Sequence, residues 1–493
     1  MRMTRLKRIV SLLMTLTLLF CCNGCGISLT EDIVKEIKPS VEDIVVAEKE
    51  ETVVEDEIST EPKQEEQTVP DNNQGQGNTT SNQTTSGTTV STQQEKQLSG
   101  ELSIQIFINE NHVGENAWMK ILDDFEKANP NLKLTTYVGP NVNTQLASRW
   151  TSGKGTLDVV LIDGKGLSEY SLSSAGSFMD LTSWYQTATV YGSNEKIWNK
   201  VNTNAIEKIN NKQYKAPLML NAYGLMYDQT NYQKLGLTVH SDFNSLLING
   251  GTLAQAGQKT LIYPGMYSNY LVWGTIMPAV AAYGQDFFNR VCSADPSVFT
   301  DQRFVGIMNR LSDLAKAGYI SASATQDHLG AQSDWLNHRA ALVSSGMWLE
   351  GEMKNSIPGT FKIGFTTAGL NAPGQTPGVA LMGVGVAISS KTKNEENAKT
   401  FLRFLYQEES LKELAVSYGY ASIGKNTIPA SAYTRSAQQI MTYVNSSSVT
   451  RVYKTKDWGV VGETFNNVAN QIAQGTLSVE DGCKQLEAAA RKN

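Results

Sequence analysis

What the sequence lacks already removes several classes of function. Its 493 residues contain five cysteines, three of them at 21, 22 and 25, so only Cys292 and Cys483 remain further along. That count argues against a disulfide-stapled scaffold, and no second cysteine pair stands at zinc spacing from Cys22-x-x-Cys25. Cys483 shares a helical face with Val479 and Leu486, the pattern of a small core residue. Four histidines form no His-Glu-x-x-His, and there is neither a Gly-x-Ser-x-Gly elbow nor a phosphate-binding loop. No metal or other cofactor is expected, and no catalytic residue. Charge of one sign is confined to the start of the chain. Residues 1–25 carry four basic groups, residues 26–66 carry 14 acidic and four basic, and from 67 onward the signs balance. A protein that coats nucleic acid needs a basic excess, so no nucleic-acid partner is expected. Finally, no aromatic residue occurs between Phe20 and Phe107.

The amino terminus sets the compartment. Arg2, Arg5, Lys7 and Arg8 precede the apolar run Ile9–Phe20, twelve residues against the ~20 that a helix needs to cross a bilayer. Such a run suits the hydrophobic part of an export signal. Gly24 before Cys25 resembles the lipobox of bacterial lipoproteins, although Cys22-Asn23-Gly24 departs from its usual residues. The resemblance implies a signal peptide over 1–24 and lipidation of Cys25. From 25 to 98 the chain is acidic, then rich in Gln, Asn, Ser, Thr and Gly, and offers too little apolar surface to offset its conformational entropy. A disordered tether is expected there, holding the rest several nanometres from its anchor.

From residue 99 onward the periodicity is that of a folded body. Leu102, Ile104 and Ile106 alternate as a strand; Trp118, Ile121, Leu122 and Phe125 recur at helical spacing up to Asn129-Pro130; Leu132, Leu134, Thr136 and Val138 alternate again. Leu157–Ile162 reads as a strand buried on both faces, stopping at Asp163-Gly164. This order of strands and helices implies an α/β fold with a parallel sheet. Ligands bind beyond the carboxyl ends of such strands, which puts Asn109, Glu110 and Asp163 at the rim. Helical stripes follow at Phe304–Leu314, Ala398–Leu405, Phe465–Ile472 and Val479–Leu486, with strands at Ala340–Val343 and Val384–Ile388.

In order along the chain stand Phe125-Glu-Lys-Ala-Asn-Pro-Asn131, Leu157-Asp-Val-Val-Leu-Ile-Asp163, Phe178-Met-Asp-Leu-Thr182, and Tyr214-Lys-Ala-Pro217 continuing to Tyr227-Asp228. Leu336–Trp348 and Val384–Ala398 follow, the former with Asn337-His338-Arg339 where a Gly-Lys is usual. This ordered set resembles the extracellular solute-binding proteins of bacterial carbohydrate ABC importers. The resemblance implies a two-lobed periplasmic-binding-protein-like fold of type II, with hinge-linked lobes. Lobe one would be 99–221 and 360–408, and lobe two 222–359 and 409–493. It further implies a sugar or oligosaccharide held between the lobes, ABC transporter permease subunits as partners, a lipid anchor on the extracellular face of the cell membrane, and a monomer.

A cleft for sugars needs aromatic faces to stack on pyranose rings and polar groups for the hydroxyls. On the resemblance, Trp348 is the first candidate, with Trp273, Tyr223 at the crossover, Trp458, and Met382 and Gly383 on the floor. Glu350 is a candidate hydroxyl acceptor, beside Asn109, Glu110 and Asp163. Asp163 could equally cap the following segment. Trp118 lies on an apolar helical face and reads as core; Trp150, Trp184 and Trp198 read as structural. A binder of polyamines or peptides, or an exported glycoside hydrolase with two facing carboxylates, is the alternative.

Overall fold

A computed structural model describes residues 95–492 apart from Glu110, 153–156, 164–165, Ala324, 426–432, 454–457 and Val460. The expected signal peptide, Cys25, the tether up to residue 94, and Glu110 lie outside the described residues. The strands are β1 (Ser99–Phe107), β2 (Asn131–Gly139), β3 (Val159–Ile162), β4 (Lys215–Asp228), β5 (Lys259–Ile262), β6 (Ile320–Ser321), β7 (Ala340–Gly346), β8 (Ile363–Thr366), β9 (Gly378–Ile388), β10 (Ala421–Ser422) and β11 (Thr450–Tyr453). The helices that position the site are α1 (Glu115–Ala128), α2 (Gln302–Lys316), α3 (Leu349–Glu352), α4 (Glu395–Leu405), α5 (Glu408–Tyr418), α6 (Arg435–Asn445), α7 (Val461–Ala473) and α8 (Val479–Ala490).

In lobe one, β2, β1 and β3 are parallel neighbours, with Ile104 opposite both Thr136 and Val159. The alternation in β1 buries Leu102, Ile104 and Ile106 among the same residues as the apolar stripe of α1. Phe125 from that stripe meets Phe401 and Phe404 of α4 edge-on at 5.0 and 5.2 Å. Burying each such side chain stabilises the fold by roughly 1.5–3 kcal/mol. Trp118 and Trp150 are fully enclosed, as their sequence setting predicts. Lobe two repeats the plan, with β6, β5 and β7 parallel and a core of Phe304, Ile307, Leu311, Phe465, Val468 and Leu486 from α2, α7 and α8. Cys292 and Cys483 are both buried, and no disulfide joins the two.

Two long strands carry the chain between lobes. Lys215–Ala222 of β4 lies antiparallel to β9, but from Tyr223 onward β4 pairs with β7, and from Leu225 also with β8. In return, β9 pairs with β11 over Gly378–Leu381 and with β3 over Gly385–Ile388. The outward crossing therefore falls at residues 221–223. Two other boundaries move. Ile363–Thr366 joins the lobe-two half of β4, and Phe361 packs on Trp335 at 4.8 Å, so 360–377 travels with lobe two rather than lobe one. Tyr418 of α5 accepts a 3.0 Å hydrogen bond from Trp118 Nε1, so α5 belongs with lobe one rather than lobe two. Periodicity marks a strand or helix but not its partner across the sheet, which is why these assignments differ. We draw the return crossing within β9 and the third between β10 and β11.

Candidate ligand-binding cleft

The cleft is built outward from the point where β4 changes partners. Tyr223 stands opposite Gly346, the last residue of β7, and Met347 then donates its N–H to the Ala222 carbonyl at 3.1 Å. Trp348 follows and opens α3. Its indole folds back over Gly346, where an added Cβ would come within 2.0 Å of the ring; only a glycine leaves that space. Trp348 meets Tyr223 edge-on at 4.8 Å and Tyr270 at 6.1 Å.

Tyr270 and Trp273 come from a short helix that switches to π-type turns over Val272–Ile276. π-turns of this kind re-aim side chains and are frequent at functional sites. Gly274 lets the helix rest on the hinge, since a Cβ there would meet Ser344 Oγ at 2.0 Å and the Gly224 carbonyl at 3.0 Å. Trp273 lies 6.2 Å from Tyr223 and stacks on Trp458 at 4.8 Å. Four aromatics picked from the sequence, Tyr223, Trp273, Trp348 and Trp458, thus form one connected cluster, in which Trp273 is buried and the other three are half-buried. Tyr270 completes it, His328 adjoins Tyr270 at 4.7 Å, and Tyr267 stacks on His328 at 4.4 Å. Burial raises the phenol of Tyr223 and pushes that of Tyr270 up to about 12, so both remain neutral hydrogen-bonding groups at physiological pH.

The facing wall is polar. Parallel β1 and β3 end together, which brings Asn109 and Asp163 to one rim. Asn109 Oδ1 accepts the Val113 N–H at 3.0 Å and so shapes the turn into α1. The Asp163 carboxylate faces Tyr418 and Tyr420, whose rings are 5.4 Å apart; burial first, and then its charge, raises both phenols. Across the gap, Asn111 Nδ2 reaches Glu352 Oε1 of α3 at 3.5 Å. Glu352 is still wetted, yet protein atoms crowd it enough to push its carboxyl up, with the Asn111 contact acting the other way. Sequence reasoning missed Glu352, Asn111, Tyr418 and Tyr420. One signal was available: Glu352 lies four residues after Trp348, one helical turn.

Two candidates are engaged elsewhere. Both oxygens of Glu350 cap the start of α6, accepting the Arg435 N–H at 3.1 Å and the Ser436 N–H at 3.2 Å; its role as a hydroxyl acceptor is replaced by helix capping. Gly383 donates its N–H to Glu207 Oε1 at 3.1 Å, and Glu207 lies 2.6 Å from Lys215, which also meets Glu169 at 2.5 Å. A Cβ on Gly383 would stand 3.0 Å from Glu207 Oε2, so this glycine makes room for a buried ion cluster rather than for a ligand. Met382, half-buried beside it, stands opposite Asn221 at the crossing. Among the described residues no group of His, Cys, Asp and Glu is placed to hold a metal ion.

The model of the bacterial extracellular solute-binding protein family matches residues 109–412. The chain belongs to that family. Among relatives of this solute-binding protein, the multiple sugar-binding protein of Streptococcus mutans is 23% identical over 304 residues, 60% of this chain and 69% of the relative. The diacetylchitobiose binding protein NgcE of Streptomyces coelicolor is 21% identical over 241 residues, 48% of this chain and 51% of the relative. In fold, the chain resembles RafE of Streptococcus pneumoniae in its apo form, with TM-score 0.64 and 18% identity over 81% of this chain and 99% of RafE. RafE in complex with raffinose gives TM-score 0.61 and 20% identity over 79% and 99% of the two chains. The two-lobed, hinge-linked α/β fold of this solute-binding protein is therefore shared with them.

Proposed function

We propose that this protein captures a sugar or oligosaccharide between its lobes and presents it to the permease subunits of an ABC importer. The observation that carries the reading is the partly open cluster of Tyr223, Tyr270, Trp348 and Trp458, backed by the buried Trp273 and set opposite Asn109, Asn111 and Asp163. Ring faces suit the apolar side of a pyranose, and the amide and carboxylate groups suit its hydroxyls. The sugar ligands named for its relatives favour the same class. A hydroxyl left unpaired in a closed cleft costs about 1–3 kcal/mol, which is enough to discriminate between sugars. The ligand drives closure only to the extent that it binds the closed arrangement better than the open one, and it leaves chemically unchanged. The mature chain is a monomer held to the extracellular face of the membrane by lipid on Cys25.

Calorimetric titration of the mature protein against mono- and oligosaccharides tests this, with saturable binding expected. If every sugar fails while polyamines or peptides bind tightly, the carbohydrate assignment falls. Release of product from a chromogenic glycoside would instead favour a hydrolase. For the anchor, Cys25→Ser should move the protein from the membrane fraction to the medium; unchanged membrane association would reject Cys25 as the lipid site.

A further inference from the structure

Beyond the carboxyl ends of β5 and β7, where open α/β sheets bind their ligands, lies a small recess of about 10 Å³, room for one water-sized group. Tyr270, the end of β7 and the helix His328–Leu336 enclose it. Successive side chains of a strand point to opposite faces. Ser344 turns to Tyr270, whose carbonyl accepts its hydroxyl hydrogen at 2.7 Å, while Ser345 shares the face of Val343, which packs among the same residues as Ala331 and Trp335 of that helix. Gln332, beside Ala331, reaches the recess from the helix. Its side chain is 8% exposed and that of Ser345 3%, yet neither has a hydrogen-bond partner. Buried polar groups normally have one. Their polar atoms are not sealed off, as Trp335 Nε1 is, but still touch open space. His328, on the same wall, has no hydrogen bond at its ring nitrogens either; burial lowers its pKa, which leaves a neutral ring with one donor and one acceptor.

We propose that this recess reads the exocyclic hydroxymethyl group of a hexose, with Gln332 and Ser345 as the residues that determine specificity. The inference rests on the sugar-binding function proposed above and names the kind of sugar unit. Tyr270 walls the recess and meets Trp348 at 6.1 Å, so a pyranose resting on the aromatic cluster would have one edge at its mouth. The polar groups of Gln332 and Ser345 are set below that surface. A hydroxymethyl carries its oxygen one carbon further from the ring than a ring hydroxyl does, the reach such a recess calls for. Its hydroxyl offers one donor and two acceptor positions, which the Gln332 amide and the Ser345 hydroxyl can match. A methyl in the same place would bury these groups unpaired, which is unfavourable.

The test titrates the mature protein by calorimetry with each hexose saccharide that it binds and with the analogue carrying hydrogen in place of every C6 hydroxyl, ring and linkage being the same. The expected result is a loss of about tenfold or more in affinity for the 6-deoxy analogue. Gln332→Leu should weaken the hexose saccharide to the level of its analogue and leave the analogue no weaker, with thermal unfolding nearly unchanged, because the side chain gives up no hydrogen bond within the protein. Ser345→Ala, a smaller change, should narrow the preference in the same direction and decides the matter if the leucine variant does not fold. The proposal is overturned if the 6-deoxy analogues bind as well as their parents, if only pentose saccharides bind, or if the folded variants keep the full preference; in each case the sugar-binding function stands. Failure of all saccharides overturns that function as well.

Discussion

The start of β4 and its crossing point handle polar groups in opposite ways. At the lobe-one end, Lys215 is buried between Glu169 and Glu207 at 2.5 and 2.6 Å, and Glu207 also accepts the Gly383 N–H from β9. Every charge there has a short partner, and opposing charges hold Lys215 protonated against its burial. At the crossing, around Tyr223, aromatic rings gather with a gap before the lobe-one wall, and Glu352 reaches across it only to a long contact. One place is saturated and fixes the hinge strands in register; the other is left incomplete, the condition a binding surface needs. Changes at the first should therefore alter stability with affinity per folded molecule preserved, and changes at the second should do the reverse.

The largest effect is expected from Lys215→Ala, which strands the buried Glu207 and the part-buried Glu169. Removing one partner of a buried ion cluster costs about 3–5 kcal/mol. Chemical denaturation should register that loss, while ligand affinity, corrected for the folded fraction, stays within a few-fold of wild type. A large affinity change in the folded fraction would mean that the ion cluster controls the cleft and that the two places are not separate.

A second sealed group gives a pH signature. His240 is enclosed in lobe two with Nε2 on the Ala368 carbonyl at 3.0 Å, and burial pushes its pKa from 6.5 down to about 4. The unfolded chain therefore binds this proton more readily than the native one. The stability contribution is fully present above pH 6.5 and is lost as pH falls towards 4. The shift sets the loss at about 3 kcal/mol. Unfolding followed across that window should show it, and His240→Gln should flatten the wild-type slope; identical slopes would show that His240 is not the group that titrates.

Most of the architecture could be read in the sequence because burial imposes periodicity: the stripe Trp118, Ile121, Leu122, Phe125 and the unbroken run Leu157–Ile162 each led to the element observed. Boundaries between lobes were less legible, since β8 and α5 look the same whichever lobe they pack on. Within the cleft, the aromatic residues stood out by type and setting. Glu350 and Glu352 did not separate, because two acids in one short helix point in different directions. One faces α6 and caps it; the other faces Asn111.

At the crossing, Trp348→Ala should weaken ligand binding about thirtyfold, the effect of roughly 2 kcal/mol of stacking and desolvation at an aromatic anchor. The residue is half-buried, so thermal stability should fall far less than for a core tryptophan such as Trp118. Collapse of stability with unchanged affinity per folded molecule would place Trp348 in the core instead.

The finest comparison applies one substitution at both places. In Gly346→Ala the new methyl overlaps the Trp348 ring at 2.0 Å, but what it meets is a half-buried side chain that can swing away. Folding should be nearly preserved and affinity should fall several-fold as the platform tilts. In Gly383→Ala the methyl stands 3.0 Å from Glu207 Oε2 and 3.5 Å from Lys215 Cε, inside a sealed cluster with nowhere to move. Crowding of that kind costs about 1 kcal/mol or more, read as a lowered unfolding midpoint, with affinity unchanged. If Gly383→Ala weakened binding and spared stability, the floor of the cleft would extend to β9 after all, and the division of labour along β4 would be drawn in the wrong place.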